Sequence, residues 1–160
     1  MSLDAPHLTG SVDATGMKIG IIVSRFNENI TSALRDGAMT ALKEHGSHDT
    51  DLKIVHVPGA LEIPTIAANM ADSGNYDALI CLGCVIQGGT AHFEHVCRVA
   101  MDSIGAIAER GTIAIANGVL TVDTLEQALD RVGGAHGHKG AEAALTAVEI
   151  ATTLKELQNS

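Results

Sequence analysis

The sequence predicts an α/β protein: a three-layer α/β/α sandwich on a four-stranded parallel sheet, folded as one domain. Three observations lead there. Short β-branched runs alternate along the chain with segments of helical periodicity, and helical crossovers between strands make a parallel, right-handed sheet. The strand runs are apolar throughout rather than alternating, which suits strands covered on both faces. A chain of 160 residues buries about 70% of its unfolded surface in a single core, so no second core is required.

Taken in order, residues 1–16 read as a flexible tail and 17–160 as the domain. The tail lacks the positive and apolar regions of a secretory signal, and no later apolar stretch approaches the roughly 20 residues of a membrane span. "KIGIIVSRF" (18–26) is the first strand. Ile30, Leu34, Ala38 and Leu42 then mark a helix over 27–46, with an Asn start and a Gly46 stop. "LKIVHV" (52–57) and "DALICLGCVI" (77–86) are the second and third strands, separated by a helix over 60–74. A helix over 91–111, a strand over 112–120, the segment 124–134 and a last helix over 138–158 complete the chain. Ligands of such sheets gather at the carboxyl ends of the strands, so chemistry is expected just after residues 26, 57, 86 and 120.

Composition narrows the partners. Hydrophobic residues make up 46% but aromatics only 2%, so the interior must be aliphatic and Phe26, Tyr76 and Phe93 are the only rings. A net charge of −9 with no Lys/Arg-rich run argues against nucleic acid or an anionic membrane as partner. A small anion met by local cations stays open. Three cysteines in a chain large enough to fold without staples read as free thiols, and the protein as cytoplasmic.

"CLGCVIQGGTAHFEHVC" (81–97) concentrates the candidate chemistry. Cys81 and Cys84 lie three apart in a strand and point to opposite faces, so they read as buried apolar residues and not as a redox pair. His92 and His95 share a helix edge, but Cys97 and Glu94 fall elsewhere, so no metal is expected. "GGT" (88–90) leads from a strand into a helix, where amides, a hydroxyl and the helix dipole converge; it reads equally as an anion cradle or as a glycine turn with Thr90 as N-cap. His92 sits in the first turn, where the dipole disfavours imidazolium by about 0.3–1 kcal/mol, which suits a general base or a capping residue. Phe26 is a stacking platform or a core ring, and Glu62 a ligand acceptor or a dipole-compensating acid. Arg131 and Lys139 flank a Gly- and His-rich hinge as anion ligands or solvated charges.

"SRFNENITSAL" (24–34), "VPGALEIP" (57–64), "GCVIQGGTAHFEHV" (83–96), "NGVLTVDTLEQALDR" (117–131) and "GHKGAEAAL" (137–145), in this order and spacing, resemble the 6,7-dimethyl-8-ribityllumazine synthase family over nearly the whole chain after the tail. The resemblance implies a flavodoxin-like fold. It implies a transferase of riboflavin biosynthesis that condenses 5-amino-6-(D-ribitylamino)uracil with 3,4-dihydroxy-2-butanone 4-phosphate, releasing phosphate and water without a metal or cofactor. By position, Phe26 stacks on the pyrimidine; Ala60, Leu61 and Glu62 bind the ribityl chain; Cys84, Val85 and Ile86 lie along the uracil edge, the last two bonding it through their backbones. Gly89 and Thr90 hold phosphate with Arg131 from a neighbouring subunit, His92 shuttles protons, and Lys139 approaches the ring across the interface. Asn117 stands where many members place a phenylalanine over the ring, and Gln87 where an arginine is frequent. The family forms homopentamers with shared sites, some closing into 60-subunit shells. A catalytically silent lumazine-binding module and a metal hydrolase using His92, His95 and Cys97 are the competing readings.

Overall fold

Four runs of small and β-branched residues pair into one sheet: β1 (Ile19–Ser24), β2 (Leu52–Val57), β3 (Ala78–Ile86) and β4 (Ala114–Val122). All pairs are parallel and the order is β2-β1-β3-β4, the doubly wound arrangement of flavodoxin-like folds. The computed structural model describes residues 4–160. Five helices cover the sheet: α1 (Glu28–Glu44), α2 (Ile63–Ser73), α3 (His92–Ala108), α4 (Leu125–Leu129) and α5 (Lys139–Gln158). The predicted three-layer α/β sandwich is therefore present.

Every residue of β1 is buried, because both sheet faces are covered. Ile19, Ile21 and Val23 join Leu34, Leu42 and Val148 in a core against α1 and α5. Ile22, Leu79 and Cys81 join Ile63, Ala100 and Ile104 in a second core against α2 and α3. The alternation that sends neighbouring residues to opposite cores also separates Cys81 from Cys84, which fall in different clusters as free thiols. Close approach of α5 depends on small residues. A Cβ on Gly118 would stand 2.7 Å from Leu82 Cδ2 and 3.1 Å from Ala143 Cβ, so glycine lets Ala143 reach the sheet.

Several boundaries differ from expectation. The fourth strand runs two residues later than predicted because "GVLTV" stays apolar and extended through Val122. The helix expected from residue 60 begins as a single 3₁₀ turn at Ala60–Glu62 before α2. The segment 124–134 divides into α4 and β5 (Val132–Gly134), which pairs antiparallel with β6 (Gly137–His138). Residues 1–3 of the expected tail lie outside the described residues. Residues 4–14 form no helix or strand, yet part of this stretch is docked. Ser11 N–H donates to Thr152 Oγ1 at 2.9 Å, the Thr152 hydroxyl donates to Ser11 O at 3.0 Å, and Ala14 N–H donates to His45 O at 2.8 Å. Among the described residues no helix is long and apolar enough to cross a membrane.

Burial raises the Cys81 thiol from 9.0 to about 12 and the Cys84 thiol to about 11. The unfolded chain then loses these protons before the folded chain does, so their contribution to stability is constant below about pH 9 and falls as pH rises beyond it. Denaturation midpoints measured from about pH 8 to about pH 10.5 should decline less steeply in Cys81→Ala than in the parent protein. Equal slopes would contradict the burial argument.

Candidate active site

The chain leaves β1 toward α1 on one face of the sheet and leaves β3 toward α3 on the other, which opens a crevice at the carboxyl ends of these adjacent strands. Pairing of β1 with β3 ends at Val23 and Leu82, whereas β3 stays paired with β4 as far as Ile86 and Val122. The edge of Gly83–Ile86 that faces β1 therefore has no strand partner among the described residues. A cavity of about 300 Å³ opens at this place.

Three turns and one helix build its walls. Phe26 comes from the turn after β1, Ala60, Leu61 and Glu62 from the turn after β2, and Cys84, Val85, Ile86 and Thr90 from the end of β3 and its turn. His92, Phe93 and Val96 come from the first turns of α3. Phe26 is 72% exposed, which excludes the core-packing alternative. Its turn is anchored on one side by Arg25 N–H donating to Val57 O at 2.8 Å and Phe26 N–H donating to Pro58 O at 3.1 Å.

Asn27 anchors the other side. It is the only non-glycine residue with positive φ among the described residues (φ 62°, ψ 51°), and its Nδ2 donates to Cys84 O at 2.9 Å. Its own carbonyl accepts the N–H groups of Ile30 and Thr31, each at 3.0 Å, and so starts α1. Left-handed backbone in a residue with a Cβ costs on the order of 1 kcal/mol, which the surrounding bonds must overcome. The result is a rigid link between the Phe26 turn and the floor of the crevice.

The turn after β3 offers donors. Among the described residues no protein acceptor meets the N–H groups of Gly88, Gly89 and Thr90, and a Cβ on either glycine would meet nothing within 4 Å. Packing therefore does not require glycine here; close approach of another molecule to the backbone would. The N-cap of α3 is Ala91, so Thr90 is not the N-cap that the glycine-turn alternative made it; its hydroxyl accepts from His92 N–H at 3.4 Å. His92 is exposed at the cavity mouth, and Glu62 is exposed with no side-chain partner among the described residues. His95 lies beside Arg98, 3.3 Å from Nδ1 to Nη2. No group of three or more His, Cys, Asp or Glu suited to a metal occurs among the described residues.

Four sequence candidates fall outside this cavity. Gly89 lies in the turn between the lining residues Gly88 and Thr90. Asn117 is exposed on β4, with Oδ1 accepting Val119 N–H and Nδ2 donating to Met101 Sδ, both at 2.9 Å. Arg131 and Lys139 line a second cavity of about 330 Å³ at the β4 edge, which shares no residue with the first. There Lys139 N–H donates to Arg131 O at 2.7 Å and Arg131 Nη1 donates to Gln127 O at 2.8 Å. Sequence reasoning missed Gly59, Phe93 and Val96 as lining residues, and Asn27 as the link. The signal for Asn27 was present, since Asn directly after a strand end is a residue type that tolerates left-handed backbone.

With this geometry in place, the chain matches the family described as 6,7-dimethyl-8-ribityllumazine synthase over residues 16–155.

Replacing Asn27 separates its two roles. Asn27→Gly keeps the backbone conformation and should lose about 0.5–1.5 kcal/mol with the hydrogen bond. Asn27→Ala should lose about 1 kcal/mol more through left-handed strain. Urea denaturation of both variants measures this, and equal stabilities would show that the conformation is not strained.

Proposed function

The chain belongs to the 6,7-dimethyl-8-ribityllumazine synthase family, transferases of riboflavin biosynthesis, and from that membership we propose how its own residues carry the reaction. The substrates are 5-amino-6-(D-ribitylamino)uracil and 3,4-dihydroxy-2-butanone 4-phosphate. The observation that carries the assignment is the unpartnered edge of β3 beside the exposed ring of Phe26.

In this reading the pyrimidine stacks on Phe26 and its polar edge bonds the backbone of Ile86, while Val85, whose N–H and C=O face β4 as Gln87 N–H does, lines the wall without a backbone bond. Ile86 lies two residues beyond Cys84, so its N–H and C=O fall on the same side of the strand as the Cys84 carbonyl that Asn27 meets. Cys84 itself stays protonated at neutral pH, its thiol pushed up to about 11 by burial, and supplies floor rather than chemistry. Ala60, Leu61 and Glu62 take the ribityl chain, with the free Glu62 carboxylate accepting from its hydroxyls. The amides of Gly88, Gly89 and Thr90 receive the phosphate at the start of α3, where the dipole adds to their donors.

The reaction joins the 5-amino nitrogen to the ketone carbon and expels that oxygen as water, giving a Schiff base. Removal of a proton beside the imine then lets the C–O bond to phosphate break, and the bonding electrons leave with phosphate. Loss of phosphate leaves an enol, which takes up a proton at its terminal carbon to become a methyl ketone; attack of the ribitylamino nitrogen on this new carbonyl, with a second dehydration, closes the ring. No oxidant or reductant enters this balance. His92, at the cavity mouth, accepts and returns the protons.

Arg131 and Lys139 are reached only by assembly. Their cavity lies at the β4 edge and against α5, on the other side of the sheet from α3. A second copy would bring Arg131 to the phosphate and Lys139 to the ring, in a homopentamer with sites shared between neighbours and with a 60-subunit shell as a further level of assembly. Asn117, exposed on β4 and turned to the α3 side where it meets Met101, would approach the neighbour's ring from the opposite face of the sheet to Arg131 and Lys139. Exposed Leu125 and Leu129 on α4 and Val99 on α3 supply apolar surface for such contacts. Three free thiols, two of them buried, accord with a cytoplasmic location.

His92→Ala should lower turnover about a hundredfold, the lower end of general acid–base contributions, while product affinity is retained. Unchanged turnover would remove His92 from the mechanism. Co-refolding equal amounts of His92→Ala and Arg131→Ala should restore activity to about a quarter of the parental rate, because random neighbours rebuild intact sites. No gain over the separate variants would overturn the shared site.

A further inference from the structure

Lys139 opens α5, and the residue before it is held in an unusual way. His138 is the N-cap of that helix, and its Nδ1 accepts the Ala141 N–H at 3.3 Å. The ring also rests over Gly37 of α1: a Cβ on Gly37 would run into Cε1, Nε2 and Nδ1 of His138. Gly37 lies inside a helix of 17 residues, where glycine is ordinarily a destabilising choice. Its absent side chain is what admits the ring.

The fit is reciprocal. A Cβ on Gly140, the second residue of α5, would overlap the carbonyl of Leu34 on α1. The two helices are thus keyed by one glycine each, and the imidazole fills the notch that α1 leaves. From this seat the geometry reaches both cations. Val132 pairs with His138 across the β5–β6 hairpin, and Lys139 N–H is bonded to Arg131 O at 2.7 Å. Displacing the ring would shift the start of α5, and Lys139 and Arg131 would move with it.

We propose that His138 is a positioning residue for the condensation: seated in the Gly37 notch and capping α5, it holds Lys139 and Arg131 as one rigid pair of cations. The inference rests on the roles given to those two residues above. Alignment of this kind is worth large factors in rate, since small misplacements of a charge lower turnover without removing substrate binding.

Steady-state kinetics of the assembled enzyme test it with His138→Ala, Lys139→Ala and the double variant. His138→Ala should lower kcat about tenfold and change KM for the ribitylaminouracil less than about twofold. In the Lys139→Ala background the same change should cost clearly less than in the parent, because only Arg131 is left to position. Equal losses in both backgrounds, or no loss in the parent, would overturn the proposal. An unaffected Lys139→Ala would instead overturn the role given to Lys139 itself. Gly37→Ala, which leaves His138 and Lys139 themselves unaltered but puts a methyl group where the ring sits, expels the ring from its notch and should reproduce the kcat loss in a protein that remains folded by circular dichroism; full activity there would refute the notch. His138→Asn restores a capping side chain and should recover part of the lost rate.

Discussion

The site depends on one mismatch of length in the sheet. β1 stops pairing with β3 at Leu82, while β3 continues beside β4 for four more residue pairs, Gly83 with Val119 through Ile86 with Val122. Had β1 followed β3 to its end, the backbone edge of Gly83–Ile86 would be occupied by a strand and no crevice would exist. Asn27, three residues past the end of β1, starts α1 and bridges the gap, by adopting left-handed backbone and giving its side chain to Cys84 O. Sheet order then decides what surrounds the gap. With α1 on one face and α3 on the other, the turns after β1, β2 and β3 converge on a single cavity, and the helix that begins there presents its positive end.

Much of this was legible in the sequence because the strands are buried on both faces and so read as unbroken apolar runs. The rule that ligands sit at carboxyl strand ends then picked out Phe26, Glu62 and Thr90 without any contact being known. What escaped has a common physical cause. The strands of the β5–β6 hairpin are three and two residues long, too short for any periodicity to register. Asn27 acts on a carbonyl 57 residues away, and Gly37 matters only because His138 from the far end of the chain lies over it. Such roles belong to tertiary contact: local pattern marks Asn27 as a residue that tolerates left-handed backbone, but not the carbonyl it meets, and it carries no trace of the notch at Gly37. The fourth strand was misplaced for the opposite reason: apolar residues continue past its predicted end, so the pattern marks a strand but not where it stops.

The scarcity of aromatic residues gives the exposed ring its meaning. A chain with two phenylalanines and one tyrosine builds both cores from aliphatic side chains, and it leaves Phe26 72% exposed at the cavity. Burying a ring of that size is among the larger single contributions a core can receive. A sequence that withholds it from the interior gives up stability at a place where Asn27 strain has already been accepted. Natural chains tend to retain such local conflicts where function requires them.

Solvent supplies the remaining constraint. In one chain Phe26, Glu62, Thr90 and His92 are all exposed, so water competes for each donor and acceptor and screens the charge of a bound phosphate. The cations that would neutralise it lie in a cavity that shares no residue with this one. On the proposed reading a second copy therefore does two things at once: it covers the open mouth, and it brings Arg131 and Lys139 into a medium from which water has been displaced. Each effect strengthens the other, because a guanidinium meeting phosphate gains most where the surroundings are dry. Assembly and chemistry are then coupled through the dielectric of the site. The rigidity of the arm that carries the cations matters as much as their charge, since a preorganised donor stabilises developing charge without rearranging when the bond breaks.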